Sequence, residues 1–228
     1  MAAILAQWMI TKKGPGNDIG LSGVSFLKTD DTLDLPDIQM HFIGSLLKDH
    51  GKTRPDSHAF SNHVCQLRPE SRGYIALKSL DPKVPPIIQP NYFATQKDRD
   101  TLIKGVKMSR EIMNQSAFDE YRGKEITPGI HVQTNEEIEE FIRNAGETIY
   151  HPVGTCKMGS DEFAVVDDKL RVRGVESLRV IDASVMPTLI GGNTNAATIM
   201  IADKISDHIL GNEFLPPQHV SYKEKNAA

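Results

Sequence analysis

The sequence predicts an α+β fold: an antiparallel sheet carrying helices on one face, followed by a strand and a helix that form half of a nucleotide-binding βαβ unit. Three observations carry that prediction. Short runs such as Ile38–Ile43, His63–Leu67 and Gly73–Leu77 have strand-like patterning and few residues between neighbours. From Gln96 the apolar period becomes helical. The compact apolar run Leu178–Asp182 is then followed, after a short loop, by helical spacing from Ala196 to Leu210.

Taken in order, Met1–Ile10 is apolar but has no basic region ahead of it, and Thr11-Lys12-Lys13 stands where a signal peptide would carry small residues. It reads as an ordinary helix that starts without a capping residue. Lys13–Asp18 is a turn cluster, Gly23–Leu27 a short strand and Ile38–Ile43 a half-buried strand. A polar loop spans Lys48–Ser61. His63–Leu67 and Gly73–Leu77 flank the turn Arg68–Gly73, so antiparallel pairing between them is the expectation. Asp81–Pro86 forbids helix, because proline lacks an amide donor and restricts its predecessor. Ile87–Tyr92 is extended. Leu102, Ile103, Val106, Ile112 and Met113 gather on one side of a helix over residues 97–115. Thr134 and Glu137 form a capping box that opens a second helix reaching about Asn144. Ligands in open α/β sheets sit beyond the carboxyl ends of strands, which puts Asp182 and the loop after it in position to touch one. Beyond Gly211 the chain turns polar, and a poorly ordered tail over 211–228 is expected.

Composition limits the function classes. The 228 residues can bury a core as one large or two small domains. With 26 basic and 30 acidic residues, a net charge of -4 and no long basic block, neither nucleic acid nor an anionic bilayer is indicated as a partner. No stretch approaches the roughly 18 apolar residues of a membrane span. Cys65 and Cys156 are the only cysteines and form neither a disulfide framework nor a zinc set, which fits a reducing, cytoplasmic setting. The remaining histidines, His41, His50, His58, His63, His131, His208 and His219, show no ligand spacing and read as surface or packing residues. Lys52, Arg54, Arg68 and Arg72 are too dispersed to hold phosphate.

Two segments carry chemistry. Tyr150-His151-Pro152-Val153-Gly154-Thr155-Cys156 places an imidazole on a stiff turn, and Ile190-Gly191-Gly192-Asn193-Thr194-Asn195-Ala196-Ala197-Thr198 places a carboxamide at a helix mouth. A neutral imidazole is suited to accept a proton near pH 7. On residue type alone, His151 can also be a loop residue, Asn193 a turn or capping residue, and Asp182 a strand end. Cys156, five positions after His151, has no orienting acid beside it and no helix start to lower its pKa, so a thiol nucleophile is remote and packing is its expected role.

These segments, with their spacing, resemble those of the glucose-methanol-choline oxidoreductases, of the choline dehydrogenase-like kind. Tyr150–Gly159 is similar to the family's histidine segment and Leu178–Asn195 to its closing signature. The similarity continues through Leu67–Gly73 and Pro90–Phe93, from about Pro36 to Leu210. The resemblance implies flavin-dependent oxidation of a small-molecule alcohol to a carbonyl compound, with FAD as cofactor, His151 as base and Asn193 donating to the substrate oxygen. It implies that Asp182 and Ala183 meet the ribityl chain and phosphates, and that Thr194, Asn195 and Ala196 open a helix whose amides stabilise a reduced flavin. Gly191 and Gly192 would let backbone approach the cofactor.

The resulting organisation is residues 1–149 as substrate-binding sheet and helices, 150–210 as catalytic loops with the returning strand and helix of an incomplete FAD-binding domain, and 211–228 as tail. Gly14–Gly20 has the wrong spacing, an internal proline and no apolar helix after it, so it is not a dinucleotide fingerprint. A further N-terminal FAD-binding portion is therefore expected as partner. The rival expectation is a cofactor-free fragment or binding module with the same fold and no turnover.

Overall fold

The computed structural model describes residues 2–14, 21–46, 52, 58–213 and 215–216. Most of the Gly14–Gly20 cluster, most of the Lys48–Ser61 loop and nearly all of the expected tail lie outside the described residues. The chain forms two compact units: Met1–His151 with Leu189–Gly192, and Pro152–Thr188 with Asn193–Ala228.

In the first unit, α1 (Ala2–Thr11) is the expected apolar helix. The strands β1 (Gly23–Leu27), β2 (Ile38–Ile43) and β3 (Ser61–Gln66) form an antiparallel sheet in the order β1-β2-β3. Being central, β2 is paired along both edges, and because Ile38, Gln39, Met40 and His41 are all buried, both of its faces are covered there. Its register against β3 sets Met40 opposite Val64 and His41 opposite His63. The helix α2 (Gln96–Met113) packs on β3, and Gly105 makes the close approach possible. A Cβ there would lie 2.8 Å from Val64 Cγ1 and 3.0 Å from Ile38 Cδ1.

The expected pairing across the Arg68–Gly73 turn is not formed. Instead β4 (Tyr74–Ala76) pairs with β5 (Ile87–Gln89) in a separate two-stranded sheet. The physical reason is Asp98, buried in the first turn of α2. Its carboxylate accepts from Gln66 Nε2 at 2.9 Å, Glu70 N at 2.9 Å, Ser71 N at 2.8 Å and the Ser71 hydroxyl. The turn is thereby drawn onto the helix start and the chain leaves the first sheet. Burial alone would raise the Asp98 pKa, and the hydrogen bonds from Ser71, Glu70 and Gln66 outweigh it, leaving the group lowered and ionised. Gly73, just ahead of β4, lies hard against β5, since a Cβ there would lie 2.0 Å from Gln89 O.

The capping box at α3 (Asn135–Ala145) is formed as expected: Glu137 N donates to Thr134 Oγ1 at 3.2 Å and Thr134 N donates to Glu137 Oε2 at 2.9 Å. Ile138 is fully buried and joins Ile103 and Val132 in a core between α3 and α2.

The second unit has its own core of Val166, Leu170, Val185 and Ile205, the last from α4 (Asn195–Leu210). Gly211 ends α4 in the left-handed conformation, φ 72°, which glycine adopts without steric cost. The expected strand Leu178–Asp182 is corrected by the structure: it makes one isolated bridge, Arg171 with Arg179, plus single bonds from Val172 N to Leu178 O and Val180 N to Leu170 O. Its neighbouring segment turns away at Gly174, φ 76°, and Asp182 bends the chain into a 3-10 turn at Ala183–Val185 by accepting from Ser184 N at 2.8 Å. An apolar extended run without a continuous partner stays a run. Among the described residues no helix is long and apolar enough to cross a membrane.

Candidate active site

His151 closes the first unit on a turn whose preceding residue, Tyr150, has φ 63°. The Tyr150 amide donates to Thr148 Oγ1 at 3.1 Å, and Pro152 follows with its fixed φ. The imidazole is half-buried, and burial lowers its pKa below the ordinary value, so the ring is neutral near pH 7.

Two histidines that sequence spacing left unconnected belong to the same unit. His41 and His63 face each other across β2 and β3, and His41 Nδ1 and His63 Nε2 are buried with no hydrogen-bond partner among the described residues. Burial lowers the pKa of His41 first, with His63 and then His151 adding repulsion. Burial likewise lowers His63, partly opposed by the Glu147 carboxylate. The result is a buried pair of imidazoles held neutral by burial, each with one ring nitrogen unpaired. The only sequence signal for the pair was register, which requires knowing which strands meet. Among the described residues no group of three or more His, Cys, Asp or Glu side chains is arranged to hold a metal ion.

In the second unit, Asp182 caps the 3-10 turn that begins with Ala183. Thr194 is the buried residue ahead of α4, followed by Asn195 and Ala196 in its first turn, and Asn193 is exposed just before them. The Thr194 side chain makes no capping hydrogen bond and no acidic residue stands in the first turn of α4. The first amides of the helix are thus left for another acceptor. Cys156 is half-buried, with its backbone amide donating to Ser184 O at 3.0 Å. Cys65 is also half-buried, and burial pushes its thiol up to about 11.

The two glycines ahead of Asn193 differ in their surroundings. In the first unit, the space that a side chain on Gly191 would need is taken by Arg68, whose Nη2 lies 2.5 Å from the ideal Cβ position. The absence of a side chain at Gly191 admits the guanidinium of Arg68. Gly192 has open space where its side chain would be.

The family model described as GMC oxidoreductase matches residues 69–202. The oxygen-dependent choline dehydrogenase of Cronobacter sakazakii is 45% identical over 217 residues, covering 95% of this chain and 39% of that protein. The chain thus spans about two fifths of the length of the curated relatives it matches. Among solved structures, pyridoxine 4-oxidase from Mesorbium loti aligns with a TM-score of 0.78 and 27% identity over 86% of this chain and 39% of that one. Formate oxidase from Aspergillus oryzae RIB40, a protein with FAD modification, shares the fold with a TM-score of 0.82 and 23% identity over 92% of this chain and 41% of that one.

Proposed function

Because the chain belongs to the GMC oxidoreductase family, we propose that it is the C-terminal substrate-binding and catalytic part of an FAD-dependent alcohol oxidoreductase, with His151 as the proton acceptor. The observation that carries the proposal is the half-buried imidazole of His151, held neutral by burial and lying in the family-matched region.

Oxidation of an alcohol removes a proton from oxygen and a hydride from carbon. A neutral imidazole takes the proton without first having to lose one, and a lowered pKa keeps His151 in that form through the neutral range. His41 and His63, also held neutral, add no positive charge that would oppose protonation of His151. The side-chain amide of Asn193 is assigned to donate to the substrate oxygen, orienting it and stabilising negative charge as the proton leaves; lacking a basic nitrogen, it cannot replace His151.

The residues of the second unit fit a flavin. The opening of α4 offers amides with no carboxylate in its first turn to compete, the chemistry an anionic ring or phosphate requires. Thr194, Asn195 and Ala196 would hold the ring end, with Asp182 and Ala183 toward the ribityl chain. When bound, FAD supplies the acceptor for the hydride. We assign the rest of the cofactor cradle to a further FAD-binding portion corresponding to the part of the relatives that this chain does not span.

Purified protein titrated with FAD tests the cofactor: quenching of flavin fluorescence or retained yellow colour supports the proposal, and a chain that ignores FAD even with that further portion present supports a binding module without turnover. Replacing His151 by Ala is expected to lower alcohol oxidation by about 10²-fold or more, the usual value of a general base.

A further inference from the structure

The turn that presents His151 stands in a conformation that its own residues disfavour. Tyr150 occupies the left-handed region at φ 63°, which is sterically unfavourable for a residue other than glycine. Its side chain is 64% exposed, so burial does not offset that cost. Something else must hold the backbone there.

Thr148 does so. Its Oγ1 accepts the Tyr150 amide at 3.1 Å and is within hydrogen-bond distance of Tyr92 Oη at 3.3 Å, a partner 56 residues away in the chain. Tyr92 is itself seated between two more left-handed residues, Asn91 at φ 53° and Phe93 at φ 63°. That second turn is secured on both sides: Asn91 Nδ2 donates to Arg72 O at 2.8 Å, while Phe93 is buried with the Arg143 guanidinium 5.0 Å from its ring centre. All of these residues belong to the first unit. Left-handed backbone at three residues, in two turns joined by one hydroxyl, is the pattern of a conformation imposed by its surroundings.

What the arrangement fixes is the residue after Tyr150. Among the described residues no hydrogen bond reaches the His151 ring, so the backbone that carries it, which fixes its Cα–Cβ direction, is what positions it for packing. Were Tyr150 to relax into the extended region, φ would change by more than about 100° and the Cα–Cβ vector of His151 would swing with it. We propose that Thr148 and Tyr92 are positioning residues for His151, forming a strap that keeps its imidazole in the half-buried orientation a proton acceptor needs. The proposal rests on the assignment of His151 as base, and it assigns to neither Thr148 nor Tyr92 any contact with substrate or flavin.

The test is an NMR titration of the His151 imidazole in the full chain, with Thr148→Val, Thr148→Ser and Tyr92→Phe compared with the unaltered protein. Valine keeps the shape of threonine and removes the acceptor; serine keeps the acceptor. In Thr148→Val the His151 midpoint should rise toward the ordinary 6.5 as the ring gains solvent. Thr148→Ser should restore it, and Tyr92→Phe, at an exposed ring that folding does not depend on, should give a smaller rise. In flavin-loaded protein the same order should appear as a fall in kcat of about tenfold for Thr148→Val with KM nearly unchanged, the mark of a lost transition-state alignment. A His151 midpoint that stays put in both Thr148→Val and Tyr92→Phe overturns the proposal, because a merely structural threonine would lower stability without moving that titration. Alcohol oxidation that survives His151→Ala removes the base assignment instead, and leaves the strap's effect on the ring to be read from the titration alone.

Discussion

The sheet that carries His41 and His63 and the segment that leads to Asp182 are both built from apolar, extended runs, yet only the first becomes a set of strands. In the sheet, three successive segments lie side by side and each ladder is continuous, with six paired positions between β2 and β3. In the second unit, the run before Asp182 meets a neighbour that turns away at Gly174, and its pairing is reduced to one isolated bridge. Extended propensity becomes a strand only where another stretch of chain completes the hydrogen bonds. The first unit accordingly owes its site to long-range register and clamping, the second to a small apolar core and local caps.

That contrast can be broken most forcefully at Asp98. Asp98→Ala leaves the Gln66 side chain and the Glu70 and Ser71 amides without their acceptor inside the first unit. We expect a loss of about 3 kcal/mol or more, read from the urea midpoint. Hydrogen exchange should open in β3, β4 and α2 before it opens in α4. The counterpart in the second unit is Val166→Ala, which empties part of a fully buried site. About 2 kcal/mol is expected there, with the increased exchange confined to residues 158–185 and α4.

Next in size is Gly105→Ala. The new methyl would press on Val64 and Ile38 and lift α2 from the sheet, at a cost of about 1–3 kcal/mol. Its effect should reach the titrations of His41 and His63, because those residues sit on the strands under that helix.

Acidification sharpens the same comparison. The pKa values of His41, His63 and His151 are lowered in the folded chain, so below about 6.5 the unfolded chain binds protons that the folded chain refuses. Stability is therefore full above about pH 6.5 and is lost as pH falls through that value toward the folded midpoints. Thermal melts from pH 7.5 to 5 should show this decline, and His63→Asn should flatten it. The smallest effect is expected at Asp182→Ala, which removes one cap from a 3-10 turn and should cost about 1 kcal/mol.

Local signals were legible in the sequence where the structure depends on local chemistry. The Thr134–Glu137 capping box, the amphipathic pattern of α2 and the strands at Gly23–Leu27 and Ile38–Ile43 all stand where composition and period predict them. What was not legible depends on partners remote in sequence. Nothing near Gly73–Leu77 says that its partner is Ile87–Gln89, because the deciding group is a carboxylate on α2. Nothing in the spacing of His41 and His63 joins them, since 21 intervening residues separate what the ladder sets face to face. The segments bearing His151 and Asn193 could be identified by their motifs, but the neutral histidines around the first and the strap beneath it required the fold. Nor does anything near Gly191 in the sequence point to Arg68, 123 residues away, as its neighbour.

The account turns on a neutral His151 taking the alcohol proton. The most direct measurement is the pH dependence of kcat/KM for alcohol oxidation in flavin-loaded protein, with the His151→Asn variant alongside. A limb that rises with pH through a midpoint below 6.5, and that disappears together with about 10²-fold or more of the rate in His151→Asn, is predicted. A variant that keeps both the rate and the same pH limb would contradict it.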